Sequence, residues 1–438
     1  MQERFYELVD HLTGLLGSEE VLLANFSGER SDFIRFNHAR VRQAGNVVQR
    51  ALTLELVKGG RHVRAGMTLC GNGEDAARAE AVLRDLRSQL PQVSEDPYLL
   101  YCTDGEGTTQ IGADQLPRSD DALGAILREA AGKDMVGLYA AGGIFTGFAN
   151  SLGQRNWSAA HSFMVDWSFY LGGDKAVKAN YSGFEWDQAE FERKFQGAAS
   201  QLEMLGRPPK TIKPGNYRVY LAPAAFAELA GLLSWGGFGV KAHRTKTSCL
   251  LKMAQGENLH KAINISENVA GGIAPNFQSA GFIRPPSVQL VQEGKLAQLL
   301  VSPRSAREYS LAANGADDGE SPSSPDLSGG DLKHDEVLAR LDKGVYVNQL
   351  HYLNFSDRPA CRITGMTRFA TFWVEGGKIV APLSVMRFDE TAYRAMGKNL
   401  LALTSARDFI PSTSTYGGRS TNSVRVPGAL IEDFAFTL

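Results

Sequence analysis

Residues 362–404 read RITGMTRFATFWVEGGKIVAPLSVMRFDETAYRAMGKNLLALT, and the order of elements in this stretch decides how the second half of the chain is read. Residues 367–374 are dense in β-branched and aromatic side chains, which suit a half-buried pleated surface. Glu375-Gly376-Gly377-Lys378 supplies the backbone freedom of a tight hairpin turn, and Ile379 resumes an apolar extended run. Pro382 has no amide to donate, so this second strand belongs at an edge or a bulge. Asp389 is placed as the N-cap of a helix carrying Ala392, Met396, Leu400 and Leu403 on one face. These residue types build structure, and none of them forms a reactive constellation.

The same reading extends back to the amino terminus. Phe5, Leu8, Val9, Leu12 and Leu16 recur at helical spacing ahead of Gly17. Residues 20–26, 33–38, 47–57 and 62–69 read as strands of an antiparallel meander, the last two joined by Lys58-Gly59-Gly60-Arg61. A helix over 74–90 is closed by Pro91, residues 96–120 are an irregular connection, and 121–131 is a third helix. Residues 136–148, 157–170 and 176–181 form a second antiparallel set, followed by a helix over 186–205 with Phe191, Phe195, Ala198 and Leu202 inward. Gly206-Arg207-Pro208-Pro209 then marks a boundary between an amino-terminal α+β domain, 1–206, and a β-rich domain, 207–438. Beyond it come a strand over 217–221 and a helix opened by Pro223. Residues 314–330, NGADDGESPSSPDLSGG, are polar and dense in Gly, Ser and Pro, so they read as a mobile loop. The expected class is α+β, two domains of antiparallel sheets with covering helices.

Composition narrows the function classes. A balance of 46 basic and 48 acidic residues gives a net charge of −2, too little field to recruit nucleic acid or an anionic membrane. Cys70, Cys102, Cys249 and Cys361 are far apart and show no CxxC spacing, as free thiols in a reducing compartment would be. The opening MQERFYELVDHLTGLLG is amphipathic and partly acidic, unlike a secretory leader, and no run of about 18 apolar residues occurs. A soluble, cytoplasmic chain is expected.

Candidate chemistry is thin. The eight histidines form no HExxH, HxxE or HxH pattern. His243 and His260, the nearest pair in the second domain, suit ordinary polar roles. Ser151 in Asn150-Ser151-Leu152-Gly153 lacks the first Gly of a nucleophile elbow and reads as a turn serine. Gly142-Gly143 and Gly172-Gly173-Asp174-Lys175 lack phosphate-loop spacing. Trp157, Phe163, Trp167, Phe169 and Tyr170 are accounted for mostly by core packing in a strand.

Four segments in order carry a resemblance: SDFIRFNHARVRQAG at 31–45, the strand pair containing GGRHVRAG at 59–66, FANSLGQRNWSAAHSF at 148–163, and TGMTRFATFWVEGGKIVAPLSVMRF at 364–388. Together they resemble the TldD/PmbA (TldD/TldE) family of cytoplasmic metallopeptidase subunits involved in peptide maturation, across nearly the whole chain. In that family the TldD kind carries HExxxH on a helix, with two His on zinc and Glu as base, and a Cys near the carboxyl end. The matching helix here resembles residues 223–239, PAAFAELAGLLSWGGFG. The first His position then falls on Ser234, the Glu position on Trp235 and the second His position on Gly239; the Cys position falls near Tyr416. None of these supplies a zinc ligand of the expected type.

The chain therefore resembles the TldE/PmbA kind. The resemblance implies no catalytic residue and no metal of its own, with zinc expected in a TldD-like catalytic partner. It implies a heterodimer enclosing a cavity in which extended peptides are cut, a task that exposed edge strands suit by pairing with them; from their composition alone, residues 314–330 read as a solvated surface loop or as a gate to that cavity. Where the family often has F-D-x-E-G, this chain reads Phe277-Gln278-Ser279-Ala280-Gly281, which suggests a divergent branch with its own dedicated catalytic subunit. The competing expectation is a stand-alone homodimer that binds peptides or acts like a chaperone, without a protease partner.

Overall fold

Long hairpins organise the first half of the chain in the computed structural model, which describes residues 1–173 and 175–438. Strands β1 (Val21–Asn37), β2 (Arg40–Lys58) and β3 (Arg61–Thr68) form a meander. Short β4 (Thr108–Ile111) precedes β5 (Asp134–Asn150), β6 (Arg155–Gly172) and β7 (Lys175–Gly183). The two strand sets expected separately are one sheet, ordered β3-β2-β1-β5-β6-β4 with β7 also on β6, because β1 pairs with β5 from Leu23↔Asn150 to Phe36↔Gly137. The break expected between residues 26 and 33 is absent. That polar stretch stays extended because β2 and β5 satisfy its backbone on both sides. The β1–β2 turn is His38-Ala39, at φ +49° and +52°, and the β2–β3 turn is Gly59-Gly60, at φ +58° and +78°. Paired left-handed residues of this kind match the twist of the flanking strands. Gly142-Gly143 lies within β5, and the Asp174 part of the second glycine segment lies outside the described residues.

Helices α1 (Gln2–Thr13), α2 (Glu74–Gln89), α3 (Ser119–Ala130) and α4 (Gln188–Leu205) cover one face of this sheet. Alternation along β1 explains which face: Leu22, Ala24 and Phe26 join a cluster with Phe5, Leu12 and Leu83 of α1 and α2. Ile34 and Phe36 join another with Ile126, Phe191 and Phe195 of α3 and α4. Each such Leu or Phe contributes about 1.5–3 kcal/mol when fully buried, enough to hold helices of a few turns. Helix α1 stops at Thr13, short of Gly17, where the chain tightens: the Leu15 and Leu16 amides turn back to the Leu12 and Thr13 carbonyls at 3.0 and 3.2 Å.

Residues 206–214 connect α4 to a thirteen-stranded sheet. Its strands are β8 (Gly215–Leu221), β9 (Ile265–Glu267), β10 (Val288–Gln292), β11 (Lys295–Leu296), β12 (Pro325–Leu327) and β13 (Gly344–Val347). They continue as β14 (Leu350–Asp357), β15 (Arg362–Thr367), β16 (Thr371–Glu375) and β17 (Lys378–Pro382). The last three are β18 (Arg387–Thr391), β19 (Leu400–Pro411) and β20 (Ser423–Phe436). The main path runs β11-β10-β9-β12-β20-β8-β13-β16-β17, so β20 is central. Helices α5 (Pro223–Gly231), α6 (Val240–Arg244), α7 (Leu251–Ala254), α8 (Pro303–Tyr309) and α9 (Val337–Leu341) intervene. Most pairings in both sheets are antiparallel, with parallel exceptions at β4–β6, β8–β13 and β12–β20, which makes the architecture α+β. No helix among the described residues is long and apolar enough to cross a membrane.

The hairpin read from residues 367–382 is present as β16–β17, turning through Gly376 and Gly377 at φ +58° and +68°. Strand β17 ends the main path, the edge position that Pro382 requires. The helix expected from Asp389 is not there. Asp389 lies in β18 opposite Thr364, and helical backbone is confined to residues 392–398, ending in a wide turn broken by Gly397 at φ −108°, ψ −117°. Ala392, Met396, Leu400 and Leu403 are all buried, so their helical spacing reflects burial across a short helical turn and the strand β19 that follows it. Residues 314–330 are likewise no free loop. Strand β12 pairs with both β9 and β20, and Ala316, Glu320, Ser324 and Leu327 are buried.

The two sheets share packing. Ala370 and Phe372 lie in the α3–α4 cluster of the first sheet. Lys194 Nζ meets Asp408 Oδ2 at 2.7 Å, and Ser182 Oγ donates to the Phe409 carbonyl at 2.6 Å.

Candidate functional site

A cleft of about 590 Å³ with mixed polar and apolar walls opens where α5 faces the first sheet. Helix α5 starts with Pro223 at its first turn, where the missing amide costs nothing. Ala225, Phe226, Leu229 and Ala230 turn into the core, which leaves Ala224, Ala227, Glu228 and Gly231 on the cleft wall at helical spacing. A tight turn, Leu232–Ser234, carries the chain to Trp235, and Gly236 at φ +75° redirects it. The first sheet contributes Asp166, Lys178 and Asn180.

Lys178 Nζ lies 3.3 Å from Asp166 Oδ2. Burial pushes the Asp166 carboxyl up, and Lys178 only partly opposes it. Desolvation also raises Glu228, again countered by Lys178. One ammonium is thus set near two carboxylates that give up charge more readily than exposed ones. With Asn180, Gln349 and several serines on the walls, the cleft can donate to and accept from an extended backbone. It holds no Ser–His or Cys–His pair.

The structure divides the four positions taken from the zinc motif. Ser234 and Trp235 line this cleft, Trp235 at the rim and 53% exposed. Gly239 is buried outside it, at the start of α6. Tyr416 is fully exposed on the loop over 412–422. A serine hydroxyl, an indole that only donates and a glycine offer no zinc set, and no His or Cys lines the cleft. Among the described residues no group of three or more His, Cys, Asp or Glu is placed to hold a metal ion. Gly239 has no room for a ligand either. A Cβ there would lie 2.9 Å from Glu320 Cβ and 3.1 Å from Glu320 Oε2. The residues present do not fit a zinc ion at this place.

Glu320 is the residue that sequence reasoning passed over. It lies 2% exposed in the segment expected to be mobile. Its Oε1 accepts from the Ser302 amide at 3.0 Å and the Ser302 hydroxyl at 2.9 Å, and its Oε2 from the Lys241 amide at 2.8 Å. One carboxylate therefore ties the beginnings of α6 and α8 together. In a Gly-, Ser- and Pro-rich run it has no signal that separates it from a solvated acid.

Arg419 was also missed. Gly417 and Gly418, at φ +79° and +155°, let the loop after Tyr416 fold onto the uncovered face of the first sheet. Arg419 Nη1 donates to the Ser31 hydroxyl and the Gly142 carbonyl, and Nη2 to the Ser162 carbonyl at 2.9 Å and hydroxyl at 2.6 Å. Its amide donates to buried Glu29 at 3.2 Å, and Gln49 Nε2 bridges Glu29 and the Gly417 carbonyl. Burial pulls the Arg419 guanidinium down, while Glu29 opposes that shift.

The remaining candidates have structural partners. His243 Nε2 lies 2.7 Å from the Gly237 carbonyl and 3.0 Å from Ser248 Oγ, and burial lowers its pKa. His260 Nδ1 accepts from the Ala262 amide. Ser151 Oγ accepts from the Leu22 amide at 3.1 Å and closes the end of the sheet. The 277–281 segment docks on the first sheet, with Gln154 Nε2 on the Gly281 carbonyl at 2.8 Å and Asn25 Nδ2 on the Ser279 carbonyl at 3.0 Å.

A family profile described as the PmbA/TldA metallopeptidase C-terminal domain matches residues 214–438. The chain belongs to the PmbA/TldA metallopeptidase family. No curated protein matches it in sequence. Among solved structures, TldE from Thermococcus kodakarensis superposes with a TM-score of 0.78 at 12% identity, covering 99% of each chain. A protein proposed as a DNA gyrase modulator from Thermotoga maritima gives 0.76 at 15% identity, covering 99% of this chain and 100% of that one. A second such protein, from Bacteroides thetaiotaomicron, gives 0.75 at 15% identity, covering 99% and 98%. At these identities the likeness is one of fold.

Proposed function

We propose that this chain is the non-catalytic, TldE-like subunit of a cytoplasmic zinc metallopeptidase complex that cleaves or matures unfolded peptides, beside a TldD-like subunit that carries the zinc. The observation that carries the reading is the filled position at Gly239, where Glu320 occupies the space a metal-binding side chain would need. The cleft beside it, without His or Cys, agrees with this. Within such a complex this chain binds and orients. Lys178 meets carboxylates or carbonyls, Glu228 meets amines, and Asn180 and Gln349 meet peptide groups. Four free thiols suit a reducing compartment.

Co-purification from the native cell, metal analysis and a peptidase assay with and without the co-purifying protein test the proposal. A TldD-like partner, zinc in that partner, and peptide cleavage only when both are present are expected. About one zinc per copy of this chain, with chelator-sensitive cleavage by this chain alone, refutes it. Peptide binding by a homodimer that recruits no partner supports the chaperone-like alternative instead.

A further inference from the structure

A second cavity, of about 830 Å³, lies on the helix-covered face of the first sheet, where α1 and α2 begin. Its floor is aromatic. Half-buried Phe145 faces the cavity, backed by buried Trp157, which stacks with it at 6.3 Å and with Phe26 at 5.4 Å between ring centroids. Its rim is cationic. Arg4 Nη1 donates to the Gly71 carbonyl at 2.6 Å, and Arg50 Nη1 lies 2.7 Å from where a Cβ on Gly71 would be. Two guanidinium groups thus converge on one glycine, and Arg30 lines the same cavity.

Carboxylates do not resolve this convergence. Asp75 turns its two oxygens to the Cys70 and Gly71 amides at 2.8 and 2.6 Å, with Arg78 at 3.6 Å. Glu7 is the other acid on the wall. Among the described residues no ion pair joins Arg4, Arg30 or Arg50 to a carboxylate. Like charges held together favour an incoming anion, and the guanidinium fork matches a carboxylate with two parallel hydrogen bonds. Floor and rim together fit an anionic group attached to a flat or bulky apolar body, in a volume typical of small-ligand sites. Beside them β4 ends the sheet path, and its Ile111, on the cavity wall, is 63% exposed. A strand at that position can pair with an extended backbone.

We propose that this cavity binds the free carboxyl end of a peptide whose last side chain is aromatic or large and apolar. Arg4 and Arg50 take the carboxylate, and the side chain lies between half-buried Phe145 and exposed Ile111. This rests on the peptide-handling role proposed above and deepens it: the non-catalytic subunit holds the carboxyl end of the substrate.

Calorimetric titration of the full chain with an N-acetylated tripeptide ending in Phe, as free acid and as amide, tests it. The acid binds, and the amide binds about tenfold more weakly or worse, the loss expected for a charge-assisted bidentate contact. Arg50→Gln lowers affinity for the acid by about the same factor and leaves the amide unchanged, which a general loss of fold would not do. Equal binding of acid and amide, no binding of either, or inorganic phosphate binding more tightly than the acid overturns the proposal. Such a failure, with partner capture and peptide cleavage by the complex intact, removes this site and leaves the subunit role standing. Loss of partner capture removes the role itself.

Discussion

Glu320→Ala should loosen the very place where a metal-binding residue is missing. The substitution takes away three hydrogen bonds to a carboxylate that is 2% exposed. The Ser302 hydroxyl can rotate to another partner, but the amides of Ser302 and Lys241 are left without one. At about 1–3 kcal/mol per orphaned buried donor, and with some water entry, the expected loss is about 3 kcal/mol. A chain of 438 residues unfolding as one unit has an unfolding entropy of about 0.9 kcal/mol/K, so Tm should fall by about 3 °C. Differential scanning calorimetry reads this shift, and hydrogen exchange should quicken at the starts of α6 and α8. A mutant cycle sharpens the test. Gly239→Ala brings a Cβ to within 2.9 Å of Glu320 Cβ, whereas Glu320→Gly removes that atom. The double variant should therefore lose about 1 kcal/mol less than the sum of the singles. A Glu320→Ala variant melting with its parent, together with an additive cycle, refutes the claim that Glu320 fills the position.

Other outcomes can be read from the same contacts. Arg419→Met should cost about 3 kcal/mol by emptying a buried hydrogen-bond set and should speed chymotryptic cleavage at exposed Tyr416; an unchanged cleavage rate argues against the anchor. Glu20 accepts two hydrogen bonds from Arg87, at 2.8 and 2.7 Å, and this holds its carboxyl below the ordinary range. A lowered folded pKa means stability that is present above the unfolded pKa and lost as pH falls through the folded one. Urea midpoints of parent and Glu20→Gln should thus differ at neutral pH and converge in acid, and a constant gap contradicts the assignment. Gly376→Ala meets open space but keeps φ +58°, so it should cost about 1 kcal/mol from backbone strain alone, with Gly376→Asn costing less.

What was legible in the residues follows from which interactions are local. Gly376-Gly377 and Gly59-Gly60 name their own turns, and the β-branched and aromatic or apolar runs beside them read as the strands. Asp389 was misread because spacing alone cannot separate a helical stripe from four residues buried on all sides. Residues 314–330 were misread for the opposite reason: their polarity serves buried amides from other segments, and such partners lie far away in sequence. Arg419 is the same case, since its acceptors come from Ser31, Gly142 and Ser162. At the zinc-motif positions the residue types were readable, and the lack of space at Gly239 was not.

The central place of β20 bears on how the protein is made. Strand β8 pairs with it as far as Gly215↔Phe436, so β8 waits for more than two hundred residues of synthesis before this antiparallel neighbour exists, its other neighbour being β13. Until then β8 and β12 each lack one of their two partner strands, and the core around Val219, Ile431 and Phe434 cannot close. The first sheet needs no such delay, because its ladders lie within residues 21–183. Ribosome-bound chains halted before Ser423 should therefore carry a folded first half and an open, sticky second half that depends on chaperones for protection.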